Sequence, residues 1–331
     1  MRNRRDVIRA MLSASAGGFI PLNGWGSSCE GVQAADVPCS IRESVRERIR
    51  QGLAKGESTG LAISVVSGDQ IVWEEGFGWA DRSKGWNVTP HSAFSLQSMT
   101  KPFFATLVTT LAAEGKLSLN EPANRYLGSA KIQGPNGDPE KVTVRLLGAH
   151  ASGLPSTYEE LYNGEQSPNP ASFLNKYGRL AYPPGETWEY SNIGFEALGG
   201  IVANLTGKDY GALMSQRVLE PLGLRDSFWD TDKARISEGV TRYDTTGNPI
   251  PFYVTTTPPS GELFASAHDA ARFAMWNMKV PLDHGSSLMD NRWVDELHEP
   301  VYTGPSGAVS TFGWALDRLQ SGTVVIHKGG G

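Results

Sequence analysis

The segment Pro102-Phe-Phe-Ala-Thr-Leu-Val-Thr-Thr-Leu-Ala-Ala-Glu-Gly115 constrains this chain most. It reads as a buried helix, opened by a proline that the first turn tolerates and stopped by Gly115. Directly before it stands Ser98-Met-Thr-Lys101. Residues three apart on a helix share a face, so the lysine amine can reach the serine hydroxyl. A serine hydroxyl is inert at neutral pH without a neighbouring base. Lysine can be that base only if burial or nearby positive charge lowers its pKa. Ser98 falls at the helix N-terminus, where free N–H groups and the helix dipole favour developing negative charge. With 30 serines and 11 lysines in 331 residues, about one such tetrad arises by chance. Alone, it fits an N-cap serine beside a solvated lysine equally well.

The rest of the chain frames this helix with strands. Residues 41–54 read as an amphipathic helix with Ile41, Val45, Ile49 and Leu53 on one stripe. Gly60–Ser67 and Gln70–Gly76 flank a Gly68-Asp69 turn, which predicts an antiparallel hairpin. From about 98 to 300 the pattern is helical and loop-rich, with candidate helices at 101–114, 195–205, 210–219 and 267–278. Thr311–Leu319 and Thr323–His327 read as strands around Ser321-Gly322. The implied class is α+β: an antiparallel sheet built from the N- and C-terminal segments, flanking helices, and a large, mostly helical insert. Gly56-Glu-Ser58-Thr-Gly60 matches a nucleophile elbow in letters only. That motif needs a strand before the serine and a helix after it, and here the order is reversed.

A net charge of −5 and a pI near 5.7 argue against nucleic acid as a partner. No run of eighteen apolar residues exists, so no transmembrane span is expected. Asn3-Arg4-Arg5-Asp6-Val7-Ile8-Arg9 resembles a twin-arginine export signal. A small-residue, mildly apolar region follows, with a cleavage-like Val32-Gln33-Ala34. Residues 1–35 therefore read as an export leader, and 36–331 as the mature domain, periplasmic or extracellular. Cleavage near Ala34 would leave Cys39 as the lone cysteine, which excludes a disulfide framework. The six histidines show no zinc spacing, so neither a metal nor any other cofactor is expected.

Two further patterns follow Ser98 in the chain. Tyr190-Ser191-Asn192 is the only Tyr-x-Asn. A phenol beside a Ser/Lys pair can move a proton as phenolate, if cationic neighbours depress its pKa. The amide two residues on can bond a substrate carbonyl. His327-Lys328-Gly329-Gly330 closes a strand. A basic side chain followed by glycine lets a substrate backbone approach, and a free N–H there can complete an oxyanion hole. His327-x-Gly329 and Lys328-x-Gly330 both fit.

The order Ser-x-x-Lys, Tyr-x-Asn, basic-x-Gly resembles the class C β-lactamase and D-alanyl-D-alanine carboxypeptidase family of penicillin-recognising serine hydrolases. The likeness runs from about residue 45 to the end. It includes Leu146-Leu-Gly-Ala-His150-Ala-Ser-Gly-Leu154, Leu219-Glu-Pro-Leu-Gly-Leu224 and Ala265-Ser-Ala-His-Asp-Ala-Ala-Arg-Phe273. The resemblance implies an acylated nucleophile at Ser98, with Lys101 and Tyr190 managing its proton. It implies that Asn192 orients the substrate amide and that His327 or Lys328 meets a substrate carboxylate. Gly329 and Gly330 would line the substrate edge, and the N–H groups of Ser98 and Gly330 would hold the oxyanion. The implied substrate is a small ester, amide or D-amino-acid peptide, and histidine in place of the usual Lys-Thr-Gly of class C β-lactamases argues against a dedicated β-lactamase. The alternative is a catalytically inactive binding protein with the penicillin-recognising fold. In the family, two further strands and a C-terminal helix follow the third element. The resemblance therefore implies that the 331 residues are C-terminally incomplete.

Overall fold

The computed structural model describes residues 37–230, 233–282 and 288–331. The export-leader reading of residues 1–35 lies outside them. Helix α1 (Cys39–Ala54) leads into strands β1 (Gly60–Ser67) and β2 (Gln70–Asp81). The strands pair antiparallel from Gly60↔Gly78 to Ser67↔Gln70, with an irregularity at Val65/Val66. Gly68 takes φ +62° in the turn, which costs glycine nothing. β2 extends to Asp81 rather than Gly76, because β3 (Trp86–Asn87) gives its far end a partner. Cys39 is disulfide-bonded in the chain as it stands. No residue of α1 is buried and Ile41 is 52 % exposed, so its apolar stripe is only partly covered. Ser58 lies in the connector between α1 and β1, its hydroxyl donating to the Gly60 carbonyl at 2.9 Å.

At the other end, Tyr302–Thr303, Val309–Ser310, Ala315–Arg318 and Val324–His327 form a four-stranded antiparallel sheet in that spatial order. Both ends thus supply antiparallel strands. Among the described residues, they are two separately hydrogen-bonded sheets. In and just before the insert lie short strands too brief to show a periodic pattern. Phe94–Ser95 and Phe228–Trp229 both pair with Leu263–Ala265, and Glu160–Leu161 pairs with Val254–Thr255. A pattern of period two does not register over two or three residues.

Helix α2 (Thr100–Ala113) is the centre of the molecule, buried from Thr100 through Ala112. Four threonines sit in this buried helix without orphaned hydroxyls. Thr100 Oγ1 accepts from Leu263 N–H at 3.1 Å. Thr106 donates to the Pro102 carbonyl (2.9 Å), Thr109 to that of Ala105 (2.8 Å) and Thr110 to that of Leu107 (2.7 Å). Phe103 stacks on Phe273 at 3.8 Å, and Phe104 meets Tyr210 edge-on at 5.9 Å. The helix Asn192–Thr206 starts three residues before the expected 195, because Ser191 Oγ caps it by accepting from Gly194 N–H. Gly207, at φ +64°, ends it. Helix Ala267–Asn277 is capped in the same way by Ser266. The expected 210–219 helix divides into Tyr210–Met214 and a π-helical Ser215–Leu219. No described helix is long and apolar enough to cross a membrane.

Phe104 has no exposed surface. Phe104→Ala should cost about 3–5 kcal/mol by leaving a cavity against α2. The midpoint of guanidinium unfolding measures this, and an unchanged midpoint would mean that α2 is not the packed centre.

Candidate active site

Ser98 lies in a 3₁₀ turn, Gln97–Met99, that runs straight into α2. Gln97 holds φ +48°, uncommon for a non-glycine residue and worth about 1–3 kcal/mol of strain. Its amide is held by Ser95 Oγ at 3.1 Å and the Tyr253 hydroxyl at 3.3 Å. The strained residue therefore sits immediately before the serine.

Lys101 is fully buried. Its Nζ is 3.1 Å from Ser98 Oγ and 3.0 Å from the Ser260 carbonyl oxygen. Burial, and then the charge of Lys328, hold its pKa well below the ordinary lysine value. A neutral amine has two N–H donors and one lone pair. It can donate to Ser260 and accept the Ser98 proton at the same time.

The Tyr190 hydroxyl donates to Ser98 Oγ at 2.6 Å. Its ring is flanked by Lys101 Nζ at 4.9 Å and Lys328 Nζ at 5.0 Å from the centroid. Even so, burial raises the phenol's pKa, outweighing the bond to Ser98 that lowers it. This corrects the phenolate expectation: at rest Tyr190 is a protonated phenol, a donor rather than a base. Asn192, the first residue of its helix, is 7 % exposed. Its Oδ1 is buried with no partner among the described residues.

The strand register decides between the two basic residues of the third element. His327 pairs across from Ala315, and its Nε2 lies 3.0 Å from an Asp317 carboxylate oxygen on the neighbouring strand. Successive side chains point to opposite faces, so the side chain over Tyr190 belongs to Lys328. Of the two basic residues that fit the third element, Lys328 is the one that stands over the Tyr190 ring, its Nζ 5.0 Å from the centroid. Burial pushes the Lys328 ammonium down to about 8. Gly329 stands in open space, whereas a Cβ on Gly330 would lie 2.2 Å from the Leu96 carbonyl oxygen and 3.2 Å from Ser98 N. Only a glycine at 330 lets the strand end touch the turn that carries Ser98.

His150 carries no catalytic signature in the sequence by itself. It adopts φ +59°, its Nδ1 accepts from Ser191 N–H at 3.1 Å, and its ring lies 4.4 Å from that of Tyr190. Complete burial, then the charge of Lys328, lower its pKa and favour the neutral ring. It fixes the turn carrying Tyr190 and Asn192. Its place within Leu146–Leu154 was the available signal. The Ser260 carbonyl had none, since a backbone acceptor leaves no mark on residue identity.

The Beta-lactamase family model matches residues 45–331. Protein flp of Staphylococcus aureus (strain MRSA252) is 26 % identical over 290 residues, covering 84 % of this chain and 56 % of its own length. Unguisins hydrolase ungD' of Aspergillus campestris is 26 % identical over 293 residues, covering 82 % and 54 %. The chain thus spans about half the length of the curated relatives it matches. The D-alanine carboxypeptidase AmpC structure from Burkholderia cenocepacia superposes with a TM-score of 0.69 at 24 % identity, covering 85 % of this chain and 75 % of that one. With a family match over almost the whole described chain and a fold shared with such structures, this chain belongs to the Beta-lactamase family.

Proposed function

We propose that the chain is a serine hydrolase acting through a Ser98 acyl-enzyme on small ester, amide or D-amino-acid peptide substrates. The observation that carries this reading is the convergence of Tyr190 Oη and Lys101 Nζ on Ser98 Oγ, at 2.6 and 3.1 Å. Ser98 Oγ attacks the substrate carbonyl as its proton passes to neutral Lys101. The N–H groups of Ser98 and Gly330 hold the oxyanion. As the scissile bond breaks, Tyr190 gives its proton to the leaving alcohol or amine and regains one from Lys101. Water then reverses the sequence and frees the acid. The open carboxamide of Asn192 would meet the substrate amide, and Lys328 a substrate carboxylate. Residues 1–35 are read as a leader that exports the domain.

A fluorophosphonate or a fluorescent penicillin should label the folded chain, and Ser98→Ala should abolish labelling. A folded chain that labels with neither reagent would instead be a binding protein. Comparing p-nitrophenyl acetate, nitrocefin and a D-Ala-D-Ala peptide then sorts the substrate class.

Gly330→Ala should slow fluorophosphonate labelling about 10²-fold while circular dichroism stays unchanged, because the added methyl pushes the strand end off the Ser98 turn. An unaffected rate would remove Gly330 from the site.

The pH dependence follows from the two lysines. Lys101 must be neutral to accept the proton, so kcat/KM falls as pH drops through its depressed pKa. Lys328 is charged below about pH 8 and loses that charge above it. A substrate with a free carboxylate should therefore show an alkaline limb near that pH, carried by KM, that p-nitrophenyl acetate lacks. Lys328→Met should erase the difference. A limb shared by both substrates would deny Lys328 this role.

A further inference from the structure

We propose that Glu74, His91 and His268 form a binding site for a divalent transition-metal ion, with zinc the best chemical match. One donor atom from each lies within 4.8 Å of the other two. The site shares no residue with the Ser98 constellation and goes beyond the proposed hydrolase activity. Two imidazoles and a carboxylate suit zinc, whereas magnesium and calcium prefer all-oxygen sets.

The scaffold already holds the three side chains together. Glu74 lies on β2, His91 in the turn before Phe94, and His268 in the first turn of helix Ala267–Asn277. His268 N–H donates to the Pro90 carbonyl at 3.1 Å, which pins that helix to the turn. The two imidazole rings stand 4.6 Å apart, and His268 Nδ1 is 3.0 Å from Glu74 Oε2. His91 Nδ1 is 2.8 Å from Asp226 Oδ2, an oxygen that also accepts from Ser266 Oγ at 3.0 Å. A carboxylate can only accept, so both Nδ1 atoms carry protons in the metal-free site. His91 Nε2 keeps its lone pair free for a metal, and a metal seated between Glu74 and His268 would displace the His268 Nδ1 proton to solvent. The Asp226 contact to His91 is the outer support that metal-binding histidines use to fix tautomer and ring orientation.

Tetrahedral zinc with ligands at about 2.0–2.2 Å sets donor atoms about 3.3 Å apart. Side chains that are 28–54 % exposed can close the remaining gap by small rotations. The partial exposure leaves the fourth position to water. The dipole of the helix opposes a cation at its N-terminus, and the charges of Glu74 and Asp226 offset it. Bound metal would tie β2, the 90s turn and the helix into one unit. No metal-binding spacing along the chain marks this grouping, because its donors come from three separate elements.

The test uses the untagged full chain, stripped with a chelator, titrated with ZnCl2 and dialysed. The wild-type chain should retain one zinc, and saturating zinc should raise Tm by about 5 °C. His91→Ala/His268→Ala should retain none and show no rise. Asp226→Asn should bind about 10- to 100-fold more weakly. Should the double variant fail to fold, Glu74→Gln takes its place and should likewise weaken retention. Failure of the wild type to retain zinc overturns the proposal. So does equal retention by the folded double variant, or by Glu74→Gln in its place, which would put the ion elsewhere.

Discussion

The burial of one primary amine organises the candidate site of this protein. Lys101 has no exposed surface, and its charged form is therefore penalised by lost hydration that no carboxylate among the described residues restores. Its polar contacts are a serine hydroxyl and a backbone carbonyl. Both suit a neutral amine. The charge of Lys328 pushes the same way. In the proposed mechanism, a core position that would otherwise be a liability serves as the base, its pKa held low by burial. This requires α2 to be covered on all sides, and the packing of Phe103, Phe104 and their neighbours provides that cover.

Three segments distant in sequence meet at Ser98, each held by local rules. The serine is aimed by a strained residue before it and a buried helix after it. The phenol and carboxamide are delivered by a capped helix start, with a neutral histidine beneath the turn. The strand end is admitted by a glycine too small to collide with the Leu96 carbonyl. None of these supports is itself reactive, yet each sets an atom position within the site.

The sequence made the regular parts visible and left the convergent parts hidden. The apolar run after Lys101, the β1–β2 hairpin and the helices near 195 and 267 follow from periodicity, caps and turns, which are short-range. Strands such as Phe228–Trp229 escape because two residues hold no period. The pairing of Tyr190 with Ser98 came from resemblance, since no local rule relates residues 92 positions apart. The direction of the Tyr190 pKa depended on enclosure, which a linear reading cannot supply. The same holds for the Glu74, His91 and His268 grouping, whose members span 194 positions.

The pairing of Val324–His327 with Ala315–Arg318 has a chemical meaning beyond cohesion. Consecutive basic residues occupy the end of that strand on opposite faces. A slip of one position along the ladder would put the His327 imidazole above the phenol in place of the Lys328 ammonium. The ladder therefore works as a selector, setting which of two proton affinities the cleft contains without any change of composition.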